Sequence, residues 1–390
     1  MISVAEARAL LFDLVAPLPV EEVPLAQANG RVLAREVTAR RDQPPFDASS
    51  MDGYAIKATE AQKDSMFRVI GEAAAGHGFS GTVGAGQAVR IFTGAPMPKG
   101  ADFVVIQEDV SRTGEIITIS DEPGSNPNVR AAGGDFRIGT TVAAPRRLRP
   151  QDIALLASMN IPRVSVTRKP VVALISTGDE LVMPGEEPGP DQIIASNTFG
   201  LKAMLEEAGA DARLLPIARD SHASLDTAFG LARGADLIVT IGGASVGDHD
   251  LVGEVAQDLG LKRAFYKIAM RPGKPLMAGR MGDAAMVGLP GNPVSAMVCG
   301  HLFLVPMVRA LLGLGTDIPP LHSARLAGAL GPNGPREHYM RAVVENGQAR
   351  VFDNQDSAML GVLAVANALV VRPPNDAALA DGAEISYLPI

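Results

Sequence analysis

The chain has no tryptophan, a single cysteine and six histidines, and aromatic residues make up only 4% of its 390 positions. Each scarcity excludes something. One cysteine, Cys299, rules out an intrachain disulfide framework and any cysteine-based zinc site. It lies in an apolar helical run, where a buried, inert thiol is the expected state. The histidines are scattered without metal-ligand spacing. With so few aromatics, the cores must be built from Val, Leu, Ile, Ala and Met. No run of about eighteen apolar residues occurs. The best approach to one, Leu302–Leu314, contains Pro306 and Arg309, so no membrane partner is expected. The opening MISVAEARALLFDLVAP lacks a basic leader and carries Glu6 and Asp13, which reads as a cytoplasmic chain without a signal peptide. Basic residues number 35 against 43 acidic, a net charge of −8, and nucleic-acid binding in general needs a basic footprint that this balance denies. A local basic pocket for an anionic small molecule stays open.

What is present is a globular composition, 47% hydrophobic and 20% charged, over a length that implies several domains of about 100–150 residues each. Ser3 followed by Glu6 is a capping-box pattern that predicts an amphipathic helix over residues 3–15. A second short helix is expected near Leu25–Ala34, and Gln43-Pro44-Pro45 reads as a boundary. From Phe46 to about Asp135, glycines, prolines and short β-like runs (Phe67–Ile70, Ala88–Phe92, Phe103–Gln107, Ile116–Ile119) indicate a small β-rich domain. Its acidic residues fall on strand-end loops: Asp47 and Asp52, Glu108 and Asp109, and Asp135 on a Gly-Gly turn. For any one of them turn formation is the plainer reading. A helix near Gln151–Met159 returns the chain to the first region, which makes 46–135 an insertion between linking segments 1–45 and 136–168.

Residues 169–317 alternate strand and helix, the pattern of a doubly wound parallel sheet. Ligands bind such sheets at the carboxyl ends of the strands, and the unusual sequence gathers there. Val171–Ile175 runs into Ser176-Thr177-Gly178-Asp179-Glu180, and a strand over Arg213–Ala218 meets Arg219-Asp220. Leu237–Ile241, a strand buried on both faces, runs into Gly242, Gly243, Ser245, Gly247, Asp248 and Asp250. Ser245 and nearby N–H groups suit a phosphate, and two aspartates beside an anion suit a metal ion between them. A loop in which glycine turns and aspartate caps the next helix accounts for the same residues. Ala285–Gly288 ends in LPGNPVSA, where Gly291 can bring backbone to a ligand at a helix start, while Asn292 capping and Pro293 at the first helical position give a purely structural alternative. MRPGKP places Arg271 and Lys274 near Lys267, three cations on one turn, which favours an anionic substrate. Residues 318–390, with Asn346-Gly347 as a hairpin turn, read as a small all-β domain whose only candidates for chemistry are Arg341 and Ser357.

FDASSMDGYA, RIFTGAPMPKGAD, STGDEL, GGASVGDHD, MRPGKP and LPGNPVSA, in this order, resemble the molybdopterin molybdenumtransferase family (MoeA, and the E domain of gephyrin). The resemblance implies an α/β multidomain chain: a doubly wound molybdopterin-binding-type domain, an inserted β-rich domain, a helical and extended linking region, and a small C-terminal β domain. It implies a homodimer whose cleft is completed by the partner's β-rich domain. The implied activity is insertion of molybdenum from molybdate into adenylylated molybdopterin, with Mg²⁺ assisting and AMP released, downstream of a molybdopterin adenylyltransferase. A tungstate-selective or other pterin- or nucleotide-handling relative of the same fold, and a non-catalytic scaffold, are the alternatives. By motif, Glu180, Asp220 and Asp250 match the family's acidic positions, as catalytic groups and as metal ligands, with Asp52 and Asp135 added from the β-rich domain. Substrate contacts would come from Thr93, Gly94, Gly242, Gly243, Ser245, Gly247, Lys267, Arg271, Lys274, Pro290, Gly291, Asn292, Pro293 and Ser295. NQDSAML around Ser357 departs from the family pattern, as does Arg271 where some relatives carry lysine, a change that keeps charge but alters donor geometry.

Overall fold

The computed structural model describes residues 1–243, 251–317 and 320–390. Its centre is a six-stranded sheet ordered in space as Asp211–Leu214, Val171–Ser176, Leu237–Ile241, Ala284–Leu289, Met277–Met281 and Lys262–Tyr266. The middle strands are near-continuous Val, Ile, Leu and Ala because both of their faces are covered, and Leu237–Ile241 is buried at every position. Strand Leu237–Ile241 pairs parallel with both neighbours, Ile175 opposite Thr240 and Ile241 opposite Leu289. One face carries a core of Val172, Leu174, Leu201, Leu205, Val239, Val287 and Phe303, and the other carries Ile175, Leu225, Phe229, Ile238 and Val255.

The sheet is not wholly parallel. Met277–Met281, which sequence alone did not mark as a strand, runs antiparallel between Ala284–Leu289 and Lys262–Tyr266. The turn MRPGKP therefore leaves the sheet at its edge, one strand removed from Ala284–Leu289, at about 4.8 Å per strand.

Helices Asn197–Ala208, His222–Leu231, Leu251–Asp258 and Pro293–Leu311 cover the sheet. Ser221 caps the second by accepting from the Ser224 N–H, and Gly209 ends the first in the left-handed region at φ 109°. Pro293–Leu311 is long and apolar enough to cross a membrane, yet 78% of its most apolar window is buried against the sheet and neighbouring helices, as a core helix is. A π-turn over Gly300–Leu304 interrupts it.

The first helix is Val4–Phe12, with the full capping box between Ser3 and Glu6. Its apolar stripe, Val4, Ala7 and Leu11, is buried in the core of the doubly wound domain. The expected helix at Leu25–Ala34 is only a 3-10 turn at Leu25–Gln27 followed by strand Val32–Leu33, since Gly30 turns the chain at φ 75°. That strand joins Val20–Pro24, Arg163–Thr167 and Arg146–Arg147 in a four-stranded sheet. Segments before residue 46 and after residue 136 thus pair directly.

Between them lies a second six-stranded sheet: Phe103–Ile106, Gly53–Ile56, Gln87–Ile91, Met66–Ala73, Ile116–Ile119 and Val110–Thr113. It has its own cores, around Phe67, Phe103 and Ile117 on one side and Val89, Ile91 and Val104 on the other. The C-terminal sheet closes on itself through pairing of Glu337–Glu345 with Ala368–Arg372, and it takes in Met270–Arg271 as an added strand. Asn346 and Gly347 both have positive φ, 49° and 76°, as a two-residue hairpin turn of the primed kind requires. A short helix, Leu360–Val365, interrupts the otherwise all-β reading of this domain.

Candidate functional site

A cleft of about 1030 Å³ opens where the carboxyl ends of the parallel strands meet. Loops that follow three of the parallel strands form much of its wall. After Val171–Ser176, Thr177 donates its N–H to the Ile241 carbonyl (3.0 Å) and Gly178 donates to Ala218 (3.0 Å), which ties the first loop to both neighbours. Gly178 sits at φ 145°, and a Cβ there would lie 2.2 Å from Glu180 Oε2. Only glycine lets the Glu180 side chain fold back over this turn. After Leu237–Ile241, Gly242 (φ 97°) and Gly243 (φ 64°) pass so close to Thr177 and Val252 that an added Cβ would meet Thr177 O at 2.6 Å and Val252 Cγ2 at 2.2 Å. After Ala284–Leu289, a Cβ on Gly291 would stand 3.5 Å from Gly242 Cα, so the two glycine turns face each other.

Of the residues singled out from sequence, Glu180, Asp220, Gly242, Gly243, Pro290, Gly291, Asn292 and Pro293 line this cleft. Ser245, Gly247 and Asp250, with Asp248, lie outside the described residues. Ser295 is buried inside the helix at 4% exposure and does not reach the cleft. Lys267, Arg271 and Lys274 do not converge on it; of that segment only Pro275 lines the wall. The intervening strand Met277–Met281 sets the turn at the sheet edge, and pairing with Glu337–His338 draws Met270–Arg271 into the C-terminal sheet. Lys267 places its Nζ 5.0 Å from the centre of the Tyr266 ring.

Sequence reasoning missed several wall residues. Asn197, at the start of the helix Asn197–Ala208, donates its side-chain amide to the Gly291 carbonyl at 2.7 Å. Ile193 and Ile194 supply an apolar rim, Glu254 a third carboxylate, and Ala358 a contribution from the C-terminal domain. Asn292 occupies the N-cap position of the Pro293 helix but makes no capping bond with its side chain. It donates instead to Ser357 Oγ (3.0 Å), while the Val294 N–H donates to the Ser357 carbonyl (2.9 Å). Ser357 therefore seals the helix end from another domain, which no local sequence signal announces. Arg341, its companion candidate, is 2% exposed and holds the same loop through Gln355, Asp356 and Met359.

The β-rich domain assembles a separate group. Asp52 Oδ1 accepts from both the N–H (2.7 Å) and the hydroxyl (2.8 Å) of Thr93. Those two bonds, with the Arg90 guanidinium nearby, hold the Asp52 carboxyl below its ordinary range. Gly94, at φ 83°, turns the chain and donates to the Ser49 carbonyl. Asp135 is exposed, its N–H fixed on the Gln43 carbonyl at 2.9 Å. None of these residues lines the cleft of its own chain.

Among the described residues no three His, Cys, Asp or Glu side chains come together closely enough to hold a metal ion unaided. Glu180, Asp220 and Glu254 still bring hard oxygen donors to one cleft. Mg²⁺ commonly keeps several waters and binds through one or two carboxylates plus a substrate phosphate, so the donor set fits that ion.

Comparison with known proteins agrees with this layout. Residues 2–160 match the family model described as "MoeA N-terminal region (domain I and II)", residues 173–310 "Probable molybdopterin binding domain", and residues 323–390 "MoeA C-terminal region (domain IV)". The chain is 34% identical to the molybdopterin molybdenumtransferase of Nostoc sp., covering 100% of this chain and 94% of that one. It is 36% identical to that of Haemophilus influenzae over 84% of this chain and 82% of the other. The solved structure of the MoeA molybdopterin biosynthesis protein from Pyrococcus horikoshii OT3 superposes with a TM-score of 0.84 at 28% identity, and the match covers 100% of both chains. Matches of this extent, in this order, place the chain in the molybdopterin molybdenumtransferase family.

Proposed function

We propose that this enzyme of molybdenum cofactor biosynthesis transfers molybdenum from molybdate to adenylylated molybdopterin, with Mg²⁺ assisting and AMP released. The observation that carries the reading is the cleft itself: glycine turns on one wall, carboxylates on another and an apolar rim at Ile193 and Ile194, in about 1030 Å³. A pterin joined through a phosphoanhydride to AMP needs those three surfaces. Gly242, Gly243 and Gly291 let backbone approach the phosphates. Glu180 and Asp220 would hold the Mg²⁺. Bound there, Mg²⁺ would offset charge that develops as the anhydride is cleaved. Arg271 and Lys274, at the sheet edge, supply positive charge to draw molybdate, an anion, toward the cleft mouth.

Asp52, Thr93 and Asp135 stand apart from their own chain's cleft, which supports a homodimer in which each β-rich domain completes the other copy's site. The substrate would arrive from an upstream molybdopterin adenylyltransferase, since its AMP must be attached by an activating step.

The test is direct. Purified protein is incubated with adenylylated molybdopterin, Mg²⁺, and either molybdate or tungstate, and AMP is measured. Molybdate-dependent AMP release is the expected result. Release with tungstate only would replace molybdate in the reading, and no release with either would sink it.

A further inference from the structure

The geometry points to Arg219 as a positioning residue that, with Asp179, sets the separation of the cleft carboxylates Glu180 and Asp220. This rests on the reading of the cleft given above. Arg219 Nη1 donates to the carbonyls of Gly178 (3.3 Å), Asp179 (3.0 Å) and Leu181 (3.0 Å). The carbonyl it skips, that of Glu180, accepts from the Ile193 N–H at 2.8 Å. Every carbonyl from 178 to 181 thereby has a donor within reach, which restrains the backbone that carries Glu180.

The clamp works in both directions. The Arg219 N–H is held by Ser224 Oγ (2.8 Å), and the next N–H, that of Asp220, donates to Asp179 Oδ1 (3.1 Å). Arg219 grips the Glu180 loop, and Asp179 from that loop grips the backbone of Asp220. Neither Arg219 nor Asp179 lines the cleft, whereas Glu180, Leu181 and Asp220 do. Two carboxylates facing one cavity repel, and flexible loops would let them splay. A single terminal nitrogen, Nη1, sharing its two hydrogens among three carbonyls, opposes this, and a lysine ammonium, one bond nearer its own backbone, does not reach the same point. Arg219 is exposed, and its side-chain bonds go to the backbone of the Glu180 loop.

The experiment compares Arg219→Lys and Arg219→Ala in the wild-type and Glu180→Gln backgrounds, with kcat and KM read from molybdate-dependent AMP release at saturating Mg²⁺. Loss of precise placement predicts a kcat about 10- to 100-fold lower in both variants. KM should stay within about threefold, because Arg219 does not touch the substrate site. In the Glu180→Gln background the same substitutions should change kcat by less than about threefold, the non-additivity expected of residues that act through one another. Wild-type turnover in Arg219→Lys, with Glu180→Gln impaired, would overturn the positioning role and leave the cleft reading intact. An undiminished loss in the Glu180→Gln background would also overturn it. Wild-type turnover in Glu180→Gln would instead remove the cleft reading on which the inference stands. If Arg219→Ala does not fold, the Arg219→Lys comparisons decide alone.

Discussion

At the scale of single residues, Gly178 shows how a backbone position can govern a carboxylate. The atom that an added Cβ would strike is the far end of the Glu180 side chain, not backbone. Gly178→Ala should therefore move Glu180 rather than break the fold. The strained φ of 145° adds a stability loss of about 1–2 kcal/mol. Thermal unfolding should show that modest loss while AMP release falls far more; an unchanged rate would mean that the placement of Glu180 does not matter. Cys299 illustrates the opposite case. It is fully buried, and burial pushes its thiol far above the ordinary range, so it is a packing residue and not a nucleophile.

Among the elements, helix Pro150–Ser158 depends on one carboxylate. Asp152 is 3% exposed, accepts from the Arg149 N–H at 2.9 Å and takes ion pairs from Arg149 and Arg146. Burial pushes its carboxyl up, but the Arg149 N–H and the two guanidinium groups more than offset this and hold it below its usual range. With the folded value depressed, the stabilisation is complete above the unfolded value of about 3.9 and is lost as pH falls through the folded one. Asp152→Asn should lower stability at pH 7 by about 1–2 kcal/mol. The gap to the natural chain should close as pH drops below about 4. Denaturant melts at both pH values would check this, and a gap that persists in acid would assign the effect to something other than charge. This helix was legible in sequence because Pro at its first turn and an acidic residue at its third position are start signals. The strand Met277–Met281 was not, since its short Met-Ala-Gly run lacks β-branched residues.

For the molecule as a whole, the distribution of cores matters most. The doubly wound domain shares one continuous core with the first helix (Val4, Ala7, Leu11) and with Tyr339, Leu369 and Leu388 of the C-terminal barrel. The inserted sheet keeps its own cores and adjoins the rest where its two flanking segments meet, Gln43 pairing with Phe136. An independent unit that carries Asp52 and Thr93 is suited to serving a second copy. Mixing Asp52→Asn with Glu180→Gln, if each is inactive alone, should restore about a quarter of wild-type AMP release after subunit exchange, because half of the random dimers carry one intact site. No recovery despite demonstrated exchange would place both residues in one chain's site or outside the reaction.

The sequence by itself determined the layers and the chemistry: β-branched runs that must be buried on both faces, helices between them, and glycines and carboxylates at the strand ends. Those are local patterns, and local patterns are written in consecutive residues. Tertiary structure alone decided which loops share a cleft. The antiparallel Met277–Met281 moved Lys267, Arg271 and Lys274 to the sheet edge. Pairing across 65 positions brought Ser357 to Asn292, and Arg219 to the carbonyls around Glu180 across about 40. Such contacts are set by strand order and domain docking, which leave no periodic trace along the chain.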